Sequence, residues 1–180
     1  ILNLWGFSGL NPSVPTQEKI EQFLPYIDYQ NLRVNTQENT ASLKMRYSSV
    51  SLDGISNGSL CESAVSSYQT SGITAGIITA GNSVGVFGTK PDGSKWTLAV
   101  KNPDVTNSEQ LAIGTFTINS GYASTYQLEQ NSFIQDGTTY YGILDPSTGK
   151  PAETNLVSVT VTHADGPTSD ALALACMVLG

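Results

Sequence analysis

Asp170, at the start of the last helical stretch, is the residue whose type and placing best suit chemistry. A negative charge there is favoured by the helix dipole whatever its job, so capping is one reading. The other reading is a hard cation. Mg²⁺ wants oxygen ligands and keeps several waters, and a carboxylate beside a turn of backbone carbonyls serves it. A second oxygen ligand is expected one turn on, on the same helix face, and that position is Leu174, which can ligate nothing. His163 is the only histidine. It ends the alternating run Val157, Val159, Val161, so it shares their parity and reads as a satisfied or rim side chain. A single histidine excludes a multi-histidine zinc site and leaves no Ser-His-Asp set. Neither glycine-rich stretch fits a P-loop or a dinucleotide-binding glycine pattern. Cys61 and Cys176 are too few for a disulfide scaffold and lack metal spacing, which leaves both as buried small hydrophobes. Asp145, in an Asp-Pro-x-x-Gly turn, is expected to bond to its own backbone.

The elements that must carry these residues are short. Thr16 caps a helix over 17–24 that Pro25 stops, and strands are expected over 31–35 and 42–47. A helix over 59–68 puts Leu60, Ala64, Val65 and Tyr68 on one face. Strands follow at 76–79, 84–87, 96–100, 111–118, 139–144 and 156–162, separated by turn residues. Thr168 or Ser169 then caps a closing helix that is almost entirely apolar and therefore expected to be buried. Residues 1–15, broken by Gly6, Gly9, Pro12 and Pro15, read as an extended lead-in. Strands at about ten-residue spacing, without a helix between each, predict an α+β fold with a largely antiparallel mixed sheet packed with helices. The 180 residues suit a single domain, with 1–48 a peripheral subregion and 49–180 the core.

Composition narrows the partners. Eight Lys+Arg against 15 Asp+Glu leave a net charge of -7, which argues against nucleic acid and against anionic lipid. Charged residues are only 13%, about half the usual share, and 21 Ser with 19 Thr supply the polar surface instead. That pattern suits an extracytoplasmic protein. The chain opens Ile1-Leu2-Asn3-Leu4-Trp5 rather than with Met, and reads as a piece of something longer.

Three stretches together resemble one family. Residues 143–151, Ile-Leu-Asp-Pro-Ser-Thr-Gly-Lys-Pro, are similar to the Ile-(Ile/Leu)-Asp-Pro-x-Thr-Gly-x-Pro signature of the FAD:protein FMN transferases, the ApbE family of flavin transferases. Residues 169–180 resemble its C-terminal Asp-Ala-Leu-Ala-Thr-Ala helix, and residues 51–58, Ser-Leu-Asp-Gly-Ile-Ser-Asn-Gly, its Asp-Leu-Gly-Gly-Ile-Ala-Lys-Gly loop. Ala80-Gly81-Asn82, Trp96 and Asn119-Ser120-Gly121 match further family positions, in the same order along the whole chain.

The resemblance implies transfer of FMN from FAD to a Ser or Thr hydroxyl of a target flavoprotein, with release of AMP and with Mg²⁺ bridging the pyrophosphate. It places metal contacts at Asp170 and at the Gly54 carbonyl, and flavin contacts at Ser51, Asn57 and Ile143. It implies a respiratory flavoprotein subunit as partner and a membrane anchor (often a lipoprotein cysteine) in an N-terminal portion that is missing here. Four positions depart from the pattern. Leu174 stands for the metal-binding threonine and Gly142 for a histidine. Ser51 replaces the acidic residue that opens the glycine loop, and Asn57 replaces its Lys or Glu. The departures keep two further readings open beside the enzyme: a catalytically degenerate flavin- or nucleotide-binding or scaffold domain at the cell surface, and a structural domain with a filled pocket.

Overall fold

The computed structural model describes residues 1–9, 11–104, 106 and 109–180. The chain divides into two compact units, Ile1–Ser51 with Leu128–Glu153, and Leu52–Gln127 with Thr154–Gly180. Every strand pairing among the described residues is antiparallel, as the spacing of the strand signals requires.

In the first unit, α1 (Leu2–Trp5) is one short turn closed by Gly6, whose φ of 77° is the left-handed geometry glycine tolerates. The expected extended lead-in is thus partly helical, and it has an anchor. Trp5 is buried, and its indole Nε1–H donates to the Gly149 carbonyl at 2.8 Å. Rings gather around it: Trp5 against Tyr140 at 5.7 Å, and Phe133 against both Phe7 and Tyr140 at 5.3 Å between centroids. α2 (Gln17–Phe23) starts where predicted, with the Thr16 hydroxyl accepting from the Lys19 amide at 3.4 Å. β1 (Leu32–Asn35) pairs with β2 (Thr40–Leu43).

The second unit begins with α3 (Ser56–Thr70), followed by β3 (Gly76–Ala80), β4 (Ser83–Phe87), β5 (Trp96–Lys101), β6 (Ala112–Ile118) and β7 (Gly121–Gln127). The first unit resumes with β8 (Ser132–Gln135), β9 (Thr138–Tyr141), β10 (Leu144–Asp145) and β11 (Lys150–Pro151), after which β12 (Ser158–His163) and α4 (Gly166–Leu179) complete the second. Its four-stranded sheet runs β12-β7-β4-β3. Side chains alternate across the sheet. One face packs Phe87 and Tyr122 against Cys61 and Val65 of α3, and the other sets Val86 and Ala123 against Leu98 of the β5–β6 hairpin.

β7 is central yet has no apolar alternation, because its inward positions carry Tyr122, Ser124 and Tyr126. The sequence reading has no strand there. α4 also departs from expectation. It begins at Gly166, three or four residues earlier than a cap at Thr168 or Ser169 predicts, and its cap is Asp165, whose Oδ1 accepts from the Thr168 amide at 2.7 Å. Ser169 is buried inside the helix instead of capping it. Only one face of α4 is buried, through Gly166, Ser169, Asp170, Ala173 and Met177; Leu172, Cys176 and Leu179 are exposed.

α3 and α4 meet at their N-terminal ends with almost no space between backbones. A Cβ on Gly58 would lie 2.1 Å from the Gly166 carbonyl oxygen, and one on Gly166 would lie 2.2 Å from the Gly58 oxygen. No side chain fits there without backbone movement. Gly58→Ala or Gly166→Ala should therefore cost well over the about 1 kcal/mol of an average point substitution. Either change is expected to lower the thermal midpoint by more than about 5 °C, read by circular dichroism.

Candidate functional site

The second unit brings together two of the segments singled out in the sequence, residues 52–58 of the glycine loop and the start of α4. Asp170 is fully buried. Its Oδ2 accepts the Gly58 amide at 2.7 Å and its Oδ1 accepts the Ser83 hydroxyl at 2.5 Å. Gly58 is the third residue of α3, and the cap residue of α3, Ile55, has no side-chain oxygen to offer. Asp170 thus satisfies one of the amides that a helix N-terminus leaves open. Capping holds as a reading, but of the neighbouring helix and not of its own.

Gly54 lies in the turn before α3, and Leu174 packs over it, with Cδ2 3.0 Å from where a Cβ of residue 54 would stand. Asn57 donates from Nδ2 to Oδ1 of Asn82 at 2.5 Å. The Nδ2 of Asn82 is buried and makes no hydrogen bond to any described atom. Tyr126 joins this group from β7. Burial raises its phenol above the ordinary range, and the Asp170 charge adds to that. Tyr126 carried no signal in the sequence, because its strand was unreadable by pattern. Asn82 was visible only through its place after Ala80-Gly81.

Of the remaining candidates, Ser51, Gly142, Ile143 and Asp145 belong to the first unit, and His163, Cys61 and Cys176 to the second. Ser51 is exposed. Ile143 is buried, and its carbonyl accepts the Ala152 amide at 2.8 Å. Gly142 is crowded: a Cβ there would fall 2.6 Å from Nδ2 of Asn131, so the space for a side chain is taken by that amide. Asp145 is bonded locally as expected, accepting the Ser147 amide at 2.8 Å and the Ser147 hydroxyl at 2.7 Å. The Ser147 hydroxyl is the main cause of its lowered pKa. His163 is exposed, and its Nδ1 accepts the Asp165 amide at 3.0 Å, a turn contact outside the core. Cys61 is buried, with its thiol pushed up by burial, whereas Cys176 is exposed, against the expectation that both are interior. Among the described residues no cluster of three or more His, Cys, Asp or Glu could hold a metal, and no helix is long and apolar enough to cross a membrane.

An antiparallel α+β core carries a glycine loop docked on an aspartate of the closing helix, and the comparisons give that core a family. The sequence profile of the ApbE family matches residues 1–180, and the chain belongs to that family. It is 31% identical over 183 residues to the FAD:protein FMN transferase of Vibrio cholerae, covering all of this chain and 53% of the relative. The FAD:protein FMN transferase of Escherichia coli is 29% identical over 184 residues, with 52% of its length covered. Among solved structures, the ApbE protein of Thermotoga maritima superposes with a TM-score of 0.87 at 32% identity, over 99% of this chain and 57% of that one. The apo flavinyl transferase ApbE of Pseudomonas stutzeri gives 0.83 at 28% identity, over 99% of this chain and 54% of that one. The chain spans about half the length of the curated relatives it matches.

Two outcomes follow from this geometry. Leu174→Thr returns an oxygen to the face of α4 that meets the glycine loop. It is expected to raise Mg²⁺ affinity about 10-fold or more, measured by titration calorimetry. The cap at Asp165 gives a pH signature. Its folded pKa is lowered, first by the Thr168 side chain, so its contribution is present above the ordinary carboxylate value near about 3.9 and fades as pH falls through the folded value. The difference in urea midpoint between the wild type and Asp165→Ala should be present at pH 7 and close at low pH.

Proposed function

We propose that the protein is a FAD:protein FMN transferase, moving FMN from FAD to a Ser or Thr hydroxyl of a target flavoprotein. The observation that carries this reading is the match to the family along the whole chain, with the glycine loop docked on Asp170. In the reaction, the acceptor hydroxyl oxygen attacks the phosphorus on the FMN side of the pyrophosphate. The bridging P–O bond breaks, AMP leaves with its electron pair, and the hydroxyl proton passes to water. A respiratory flavoprotein subunit is the partner class this reading takes, at an extracytoplasmic site with an N-terminal membrane anchor.

The donors of the second unit fit a magnesium ion that completes its shell with water and substrate phosphates. Each carboxylate oxygen of Asp170 receives one protein donor and keeps a further lone pair. Asp170 and the Gly54 carbonyl would hold the ion; Leu174 adds nothing. Bound there, the ion would neutralise charge building on the pyrophosphate. The chain's own residues orient and exclude water. Gly58 and Ser83 fix the carboxylate, Leu174 covers Gly54 with an apolar side chain, and Asn57 and Asn82 present amide groups beside the loop. By resemblance to the family, Asn57 is a flavin contact of this unit, and Ser51 and Ile143 are flavin contacts of the first.

A second reading, flavin binding without transfer, is favoured by one feature: full burial of Asp170 together with Leu174 packed on Gly54. One experiment separates the two. The full-length protein is incubated with FAD, Mg²⁺ and a candidate flavoprotein, then assayed by mass spectrometry for an added FMN and by chromatography for AMP. Transfer predicts both products. FAD retention with neither product supports the second reading and rejects the first.

A further inference from the structure

Asp170 sits at the end of a buried string of hydroxyls that an aspartate serving only as a helix cap has no need of. Ser83 on β4 and Ser124 on β7 stand directly opposite each other in the sheet, and Ser169 precedes Asp170 on α4; all three are fully buried. Four contacts join them: Ser83 to Asp170 Oδ1 at 2.5 Å, Ser83 to Ser124 at 3.2 Å, Ser124 to Ser169 at 2.6 Å, and Ser169 to the Gly166 carbonyl at 2.8 Å.

Three hydroxyl protons cannot fill four contacts, and the acceptors decide which are filled. A carbonyl only accepts, so Ser169 donates to Gly166. Ser124 must then donate to Ser169. A carboxylate likewise only accepts, so the Ser83 proton goes to Asp170. The contact left without a proton is Ser83 to Ser124, and it is the longest of the four. Ser83 therefore faces two acceptors and is committed to the carboxylate.

On this basis we propose that Ser83 is a positioning residue for the metal aspartate. Its hydroxyl on Oδ1 and the Gly58 amide on Oδ2 pin the carboxylate from two directions, so that the remaining lone pairs are aimed before a cation arrives. This rests on the magnesium reading of the site given above. Ser124 and Ser169 belong to the same buried set but put no proton on Asp170, which makes Ser124 an internal control. Outer partners of metal ligands of this kind are worth about 10–100-fold in affinity.

The test uses the full-length protein and reads metal binding directly, with Mg²⁺ calorimetry and Mn²⁺ paramagnetic resonance, alongside thermal unfolding. Ser83→Ala is expected to weaken both ions about 10–100-fold, while Ser124→Ala stays within about threefold of wild type. Ser83→Cys, close in shape but a weak donor, should fall with Ser83→Ala and serves if the alanine variant does not fold. Unchanged affinity in a folded Ser83 variant overturns the proposal. So does an equal loss in Ser83→Ala and Ser124→Ala, which would mark a merely structural cluster. Absence of saturable binding by the wild type removes the magnesium reading itself and this assignment with it, an outcome distinct from either of those.

Discussion

Two backbones in contact, at Gly58 and Gly166, set the geometry on which the second unit depends. Helix pairs usually sit 8–10 Å apart because side chains lie between them. Here a methyl group on either glycine would overlap a carbonyl oxygen of the other helix. That closeness lets the short side chain of Asp170 reach the third amide of α3 at 2.7 Å. The aspartate then does two things with one group. It ends a helix that has no cap of its own, and it stands, held on both oxygens, where we propose a cation binds. Burial of the carboxylate is tolerable because its charge is met by an amide, a hydroxyl and the positive end of α3 in place of water.

Much of the architecture was legible from pattern, and the failures have physical causes. β3 to β6 and α2 were readable because their residues alternate or repeat with the period of the element, and because turn residues bound them. β7 was not. Its inward-facing Ser124 sits where a strand of this kind usually shows an apolar residue, and that serine is buried against Ser83 and Ser169. The polar string that makes the strand unreadable by hydrophobic alternation is the same string that reaches Asp170. Trp5 was hidden differently. Its burial depends on a hydrogen bond to Gly149, 144 positions away, which no local period encodes.

The site itself divides along the same line. Asp170, Gly54 and Asn57 were singled out because the family motif names their positions, and Asp145 could be set aside because an Asp-Pro turn satisfies its own aspartate. Tyr126 and Ser83 could not be found, since their roles come from register across the sheet. Leu174 and Gly142 show opposite consequences of departing from a motif. Leu174 fills space over Gly54, whereas Gly142 yields its space to Asn131. Restoring a threonine at the first asks only for an exchange of side chains. Restoring a histidine at the second asks Asn131 to leave.

The split character of the two cysteines makes the closing helix addressable. Cys61 is sealed under the sheet, while Cys176 lies on the exposed face of α4, six positions beyond Asp170. At 1.5 Å per residue that is about 9 Å along the axis. Within residues 1–180 a maleimide dye would therefore attach at one place, close enough to sense a ligand arriving at the aspartate yet on a face that the buried polar string does not use.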